Sequence, residues 1–480
     1  MIPMSLRDVV VLTGGSLHPD EPATAEVVID GPVVTDSREA GAGGLYVARV
    51  GEHADGHDFV GAARDGGAVA ALTSHPVDAL PCVVVDDVQT AFGRLARGVL
   101  DRCPDLLVVA ITGSSGKTST KDLLEQVLGS TGETVAPVGS LNGEVGVPLT
   151  VCRVTGTTRF LVVEMGARGI GHLAYLTTIA PPDVSVVLNV GSAHVGEFGS
   201  REKIARAKGE LVEALAADGV AILNADDPAV AAMAARTTAR VLSVGVTQPA
   251  DVTATEVTLD HLGRASFILN GFGLCLPVAL LVSGAHQVAN ALAVVAAAVE
   301  CGMGVEQTVT ALAAAGPTSR WRMEVTERDD GVTVVNDAYN ANPDSMRAAL
   351  TALRAIADAT EPPRRTWAVL GEMLELGAES RAEHEALGRF AVELGVDRLL
   401  VVGEGARPVA EAAARARPDP GSERHLRADG EATVWVPDAD TAYELLTDQL
   451  APGDVVVLKS SRDAGLRWLG DRLVGREVAS

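Results

Sequence analysis

The sequence predicts an α/β protein of about three units, and three observations carry that expectation. The chain has 480 residues, and at roughly 150 residues per domain about three units follow. It is 47% hydrophobic but only 3% aromatic, so its cores must be built from Val, Leu, Ile and Ala, a mixture that suits sheets covered by helices. From Leu106 onward, apolar runs of strand length alternate with helical stretches. Parallel strands joined by helices place ligands at the carboxyl ends of the strands.

Residues 1–104 hold short strand-like runs (Val33–Thr35, Gly44–Arg49, Val69–Leu72 and Pro81–Val85) separated by Gly, Asp and His turns, and form a small α/β unit. Residues 105–316 form a second unit. Its first strand, Leu106–Ile111, runs into Thr112-Gly-Ser-Ser-Gly-Lys-Thr118 and then a helix over Lys121–Leu128. Gly113 and Gly116 allow the backbone to curl with the N–H groups of Gly113, Ser114, Ser115 and Gly116 inward, a cradle for a phosphate chain. Lys117 would reach the terminal phosphates as a point charge, and the Thr118 hydroxyl suits Mg2+. Ile111 stands where a P-loop ordinarily has its first glycine. Phe160–Met165, Val184–Val190 and Val220–Asn224 read as further strands and Glu202–Leu215 as a helix. Glu164 ends one of these strands, so its carboxylate projects over the phosphate-loop edge as a candidate metal ligand. The next strand ends in Asn189-Val-Gly-Ser-Ala-His194. The alanine-rich run Ala285–Val299 is helical because alanine loses least entropy there, and the unit ends near Gly316-Pro317. Residues 317–480 form a third unit with strands at Val332–Asn336, Trp367–Leu370, Arg398–Val402 and Val455–Lys459, and an exposed loop over Arg415–Glu431.

Thirty-nine Lys and Arg face 63 Asp and Glu, a net charge of -24, which repels nucleic acid and leaves no basic stripe for it. Cys82, Cys103, Cys152, Cys275 and Cys301 are scattered without paired metal spacing and read as small hydrophobes in a reducing compartment. No run of about 18 apolar residues and no charged start followed by a long apolar core appears. A monomeric cytoplasmic protein without membrane insertion is expected.

Taken together, Thr112–Thr118, Glu164-Met-Gly-Ala167, Asn189–His194 followed by Ala207-Lys-Gly-Glu210, and Asn224-Ala-Asp-Asp227 resemble the ATP-dependent Mur ligases of peptidoglycan synthesis, over nearly the whole chain. Asn336–Met346 and Ala368–Gly377 narrow the resemblance to the member that adds D-alanyl-D-alanine to UDP-N-acetylmuramoyl-tripeptide. Ser140–Thr150, Asp36-Ser-Arg38 and Asp55-Gly-His57 look like that family's substrate region. The resemblance implies a small N-terminal α/β substrate domain, a central P-loop mononucleotide-binding domain with a mainly parallel sheet, and a C-terminal Rossmann-like α/β domain. It further implies that Lys208 is a carbamylated lysine which, with Thr118, Glu164 and His194, holds Mg2+. Asn290 would read the adenine and Asp337 the ribose side of ATP, although Gln287 stands where the family has Asn. Arg322 would approach the γ-phosphate, with Arg320 a close alternative. Asn340 and Asn342 would serve the nucleotide and the dipeptide, and Ser37, Arg38 and Asn142 the UDP-sugar peptide. Lys459 and Arg462, in Lys459-Ser-Ser-Arg462, would bind the dipeptide carboxylate or merely close a loop.

A carboxylate does not react with an amine at neutral pH, so the implied route first moves the γ-phosphoryl to the tripeptide carboxylate. The resulting acyl phosphate hydrolyses readily, so closure of the third unit, hinged near Pro317, would exclude water. Two other readings compete. A sister ligase adding the third amino acid would have arginine after the Asn-Pro, where this chain has Asp344. A nucleotide-driven switch would need only the phosphate and metal contacts.

Overall fold

The computed structural model of the chain describes residues 1–51, 54–191, 198–416 and 432–476. Its N-terminal sheet contains β1 (Ser16–His18), β2 (Val33–Val34), β3 (Gly44–Val47), β4 (Ala68–Thr73) and β5 (Cys82–Val84) in the order β1–β5–β4–β3–β2. All neighbours are parallel except β1 on β5.

The central sheet has nine strands. These are β6 (Leu107–Thr112), β7 (Thr134–Val135), β8 (Phe160–Glu164), β9 (Val184–Val187), β10 (Val220–Asn224), β11 (Arg240–Gly245), β12 (Val252–Leu259), β13 (Arg264–Gly271) and β14 (Leu274–Ser283). Their order is β14–β13–β12–β11–β10–β9–β6–β8–β7, parallel from β7 to β12, with β13 and β14 added antiparallel. Every residue of β8 and β9 is buried, as strands covered on both faces must be. The order in which strands are added reverses at β6, with β8 on one side and β9 on the other, so the loop after β6 lies at a topological switch point, where open α/β sheets bind ligands. The hairpins β12–β14 were not foreseen from the sequence. Their signal is a period of two: Val278, Leu280 and Val282 are buried while Ala279 and Leu281 are exposed.

The third sheet, in the order β15–β16–β20–β17–β18–β19, contains β15 (Glu324–Glu327), β16 (Thr333–Asn336), β17 (Thr366–Leu370), β18 (Arg398–Val402), β19 (Thr433–Val436) and β20 (Val455–Lys459). Only β15 is antiparallel. The three-unit α/β architecture is the one expected. Val184–Val190 ends as a strand at Val187, which frees the residues that brace the phosphate loop. Arg415 lies in the helix Arg407–Ala416, and the rest of the expected Arg415–Glu431 loop lies outside the described residues apart from Ala416.

The packing joins units that the sequence separates. One apolar cluster runs from Leu6, Phe92 and Leu95 to Leu161, Leu176 and Leu211 without a break at residue 104. The other face of the central sheet packs on α1 (Lys117–Gly129) and α3 (Gln287–Glu300), with α2 (Arg201–Glu213) on the first face. Residues Ala291–Ala298 of α3 are all buried, as a helix apolar on every side must be. Among the described residues, no helix is long and apolar enough to cross a membrane.

Candidate active site

The loop between β6 and α1 turns through Gly116, whose φ of 82° is left-handed and where a Cβ would meet Asn290 Oδ1 at 2.8 Å. Both facts demand glycine. The N–H groups of Ser114 and Ser115 do not point into an open cradle as expected. Asn189 Oδ1 accepts from both at 2.9 Å, and Asn189 Nδ2 donates to Ser115 O at 3.1 Å. The loop is thus braced from β9, and the unpaired N–H groups at the start of α1 are left to face an anion. Asn189 was visible in its motif but not singled out. It is held in turn by the Asn224–Asp227 stretch: Asn224 Nδ2 donates to Leu188 O at 2.9 Å, and Asp227 Oδ2 accepts from Val190 N at 2.7 Å.

Lys117 Nζ donates to Gly113 O at 2.8 Å, inside the curl of the loop. Burial pushes its pKa down, against the opposing charge of Glu164. Glu164, 1% exposed, ends β8 in register with Ile111 of β6. Its Oε2 accepts from Thr118 Oγ1 at 2.9 Å and its Oε1 from Asn142 Nδ2 at 2.7 Å. Asn142 therefore positions this carboxylate. Ser140 Oγ lies 3.1 Å from Thr118 Oγ1, a neighbour the sequence did not select.

Lys208 is buried on α2 and lines the same cavity, whereas Lys203 is exposed. Burial, then repulsion from Lys117, pushes the Lys208 amine well below its ordinary range. The flanking motif is structural. A Cβ at Gly209 would overlap Arg236 Nη1 at 1.8 Å, and Glu210 caps the helix His172–Ile179 by accepting from Gly171 N at 2.6 Å and Ala174 N at 3.0 Å. His194 lies outside the described residues. Among the described residues, no group of three His, Cys, Asp or Glu side chains converges as a metal site.

The third unit contributes Arg322. Its Nη2 donates to Ser140 Oγ at 3.0 Å and Thr118 Oγ1 at 3.3 Å, and its guanidinium lies 4.2 Å from the Tyr339 ring centroid. Arg320 is directed elsewhere, pairing with Asp471 at 2.9 Å and stacking on Trp321. Trp321 and Met323 flank Arg322 with positive φ of 59° and 49°, a conformation costing about 1–3 kcal/mol per non-glycine residue. It is held by Trp321 Nε1 donating to Asp471 at 3.0 Å and Met323 N donating to Asp337 Oδ1 at 3.0 Å.

One expectation is corrected here. Lys459 is 2% exposed, and its ammonium donates to Asp337 Oδ2 at 2.6 Å, Asp337 O at 3.2 Å and Asn340 O at 3.0 Å. An ammonium has three donors, so none remains for a dipeptide carboxylate. Asp337 accepts from Lys459 on one oxygen and from Met323 N on the other, which braces the strand end, and it still lines the cavity. Asn342 is an N-cap: its Oδ1 accepts from Ser345 N at 2.9 Å, and Ser345 Oγ accepts from Asn342 N at 3.0 Å. Arg462 is exposed and lines the cavity, and Asn340 lines it with its amide Oδ1 turned to Ala341 N.

Asn290 Nδ2 donates to Gln287 Oε1 at 2.9 Å, so Gln287 orients the amide beside Gly116. The cavity enclosed by these groups has a volume of about 950 Å³ and is lined from all three units. Ser37 and Arg38 are not brought to it. The Arg38 guanidinium lies on Asp36 at 2.5 Å and holds that carboxyl down at about 2. The N-terminal unit instead contributes Arg49, which the sequence did not indicate.

Three family models match the chain: Mur ligase family, catalytic domain, over residues 32–97; Mur ligase middle domain over 111–298; and Mur ligase, glutamate ligase domain, over 321–462. The UDP-N-acetylmuramoyl-tripeptide--D-alanyl-D-alanine ligase of Mycobacterium tuberculosis (strain ATCC 25618 / H37Rv) is 47% identical, over 100% of this chain and 99% of that protein. The protein of the same name from Escherichia coli (strain K12) is 35% identical over 86% and 88%. Of solved structures, MurF from Acinetobacter baumannii superposes with a TM-score of 0.86 at 31% identity, over 99% of both chains. MurF from Thermotoga maritima in complex with ADP gives 0.76 at 28% identity, over 93% and 98%.

Proposed function

The chain belongs to the Mur ligase family, and from that premise we propose that it joins D-alanyl-D-alanine to UDP-N-acetylmuramoyl-tripeptide at the expense of ATP, as a monomeric cytoplasmic enzyme of peptidoglycan synthesis. The observation that carries a ligase over a switch is Arg322. A cation from the third unit stands on Thr118 of the phosphate-loop helix, so nucleotide chemistry engages a second unit that a phosphate switch would not need.

Lys117 and the N-terminus of α1 hold the triphosphate, and Asn290 faces the base. Lys117 and Arg322 bring positive charge to the moving γ-phosphoryl. The tripeptide's terminal carboxylate accepts it, giving an acyl phosphate and ADP. The free amine of D-alanyl-D-alanine attacks the acyl carbon, the C–O bond to phosphate breaks, and phosphate leaves with formation of the amide. Arg462, with its exposed guanidinium, takes the dipeptide carboxylate.

The donor set fits Mg2+. Thr118 Oγ1 and the buried Glu164 carboxylate meet at 2.9 Å, and a hard cation that retains several waters needs only one or two such ligands plus phosphate oxygens. Bound there, the ion would neutralise phosphate charge. Carbamylation requires a neutral amine, and burial beside Lys117 pushes Lys208 in that direction. The carbamate would complete the set with His194.

Two experiments test these assignments. Phosphate release from ATP should require UDP-N-acetylmuramoyl-tripeptide and D-alanyl-D-alanine together, with a single product by mass. Release indifferent to both, or incorporation of a single amino acid, would defeat the reading. Lys208→Ala should lose about 10- to 100-fold in kcat, in line with removal of a metal-supporting group, and recover partly with acetate. Undiminished activity would remove the carbamate from the site.

A further inference from the structure

The last helix, Leu466–Leu473, buries Leu466, Leu469 and Leu473 against the third sheet. It comes in closely at Gly470, where a Cβ would lie 2.3 Å from Asn336 Nδ2 at the end of β16, and Asn336 Nδ2 donates to Arg467 O at 2.9 Å. In this apolar setting Asp471 is 1% exposed. Its Oδ2 accepts from Trp321 Nε1 at 3.0 Å and pairs with Arg320 Nη2 at 2.9 Å. Its Oδ1 is sealed from solvent and accepts no hydrogen bond among the described residues, with Arg476 Nη1 3.9 Å away. A buried carboxylate left half unsatisfied stabilises a fold no better than an apolar side chain of similar volume. The reason for an acid at this position lies in what it holds.

Trp321 is anchored at each of its polar atoms. Its backbone N donates to Glu324 Oε2 at 3.0 Å, its carbonyl accepts from Tyr339 N at 3.2 Å, and its indole N–H is taken by Asp471. The ring carries the guanidinium groups of Arg320 and Arg467 at 4.7 and 5.5 Å from its centroid and meets Trp468 edge-on at 5.0 Å. Trp321 holds a left-handed φ of 59°, which persists in a non-glycine residue only where the surroundings enforce it. Arg322 leaves the chain from this residue. Release of the indole would let the backbone relax, and the Arg322 guanidinium would swing from Ser140 and Thr118, its contacts on the second unit.

We infer that Asp471 is a positioning residue for Arg322: by holding the indole of Trp321, 150 residues earlier in the chain, it aims that guanidinium at the phosphate-loop helix. Asp471 touches no ligand and acts only through Arg322. Its role rests on the part assigned to Arg322 in the proposed function and names what keeps that cation in place.

A double-mutant cycle tests the assignment. Trp321→Phe removes the indole donor and keeps an aromatic ring, whereas Asp471→Ala removes the acceptor. Each should lower kcat about 10- to 100-fold, the scale of a lost hydrogen bond to a charged group. The KM values for ATP and UDP-N-acetylmuramoyl-tripeptide should stay within about twofold, as for a contact used only in the transition state. Asp471→Asn retains an amide oxygen for the indole N–H and should recover most of kcat. On an Arg322→Ala background, Trp321→Phe and Asp471→Ala should change kcat by less than about twofold, because residues that act through one group are not additive. Equal losses on both backgrounds overturn the inference, and with a shared fall in melting temperature that asparagine fails to rescue they mark a structural role. Unchanged kcat in Trp321→Phe and Asp471→Ala also overturns it. Should Asp471→Ala not fold, Trp321→Phe carries the cycle by itself. A wild-type chain that ligates nothing, or an Arg322→Ala variant of full activity, sinks the proposed role of Arg322 and Asp471 with it, whereas wild-type ligation with additive losses sinks the inference alone.

Discussion

Lys459 and Arg462 stand one turn of chain apart and do different work. The Lys459 ammonium is sealed against Asp337 with side chains 3% and 12% exposed, and removing one partner of such a pair costs about 3–5 kcal/mol. Lys459→Ala should therefore lower the melting temperature markedly, while Arg462→Ala should leave it unmoved and raise KM for D-alanyl-D-alanine about 10- to 100-fold, the scale of a hydrogen bond to a charged group. Initial rates and thermal melts on both variants separate the two roles. The cysteines divide in the same way. Burial pushes the Cys152 and Cys301 thiols up to about 12, and Cys275 is exposed. The thiolate is the reactive form, so a maleimide at pH 8 should label Cys275 in the folded protein and reach Cys152 and Cys301 only after denaturation, as peptide mapping would show.

Helix α1 acts at both of its ends. Its first turn carries Lys117 and Thr118. Further along, Gln126 Nε2 donates to Gly316 O at 2.8 Å, Gln126 Oε1 accepts from Gly316 N at 3.1 Å, and Asp122 Oδ2 accepts from Ser319 N at 3.1 Å. Asp122 and Gln126 share a helix face at i and i+4, so the phosphate-loop helix grips the linker to the third unit. Pro317, the expected hinge, lies inside this grip. Beyond the grip, the stretch from Arg320 to Met323 is tied to the third unit through Asp471 and Asp337. Gln126→Ala removes two hydrogen bonds of about 1 kcal/mol each. It should cost about 1–3 kcal/mol in chemical denaturation and lower kcat severalfold by loosening Arg322, with KM for ATP within about twofold.

At the scale of the whole molecule, the first two units share one apolar core while the third is joined through a clamped linker and the contacts of Arg322. Relative motion is the default for units that meet through a small polar interface. Rotation of the third unit against the other two as one body should reduce the scattering radius when ATP and UDP-N-acetylmuramoyl-tripeptide are both bound. An unchanged profile with both present would count against closure as the means of excluding water from the acyl phosphate.

The sequence by itself determined the α/β class, the phosphate loop and the order of units, because these follow from local spacing: an apolar run, a glycine turn, Lys-Thr and a helix are contiguous in the chain. Family resemblance added Lys208 and Arg322, which no periodicity distinguishes from Lys203 and Arg320. What each polar group has left to offer a ligand was decided only by the tertiary structure, since hydrogen-bonding capacity is used up by partners far away in sequence. Asn189 reaches back to Ser114 and Ser115, and Lys459 is spent on Asp337, 122 residues earlier. Arg49 likewise lines a cavity shared by all three units, which no local spacing reveals.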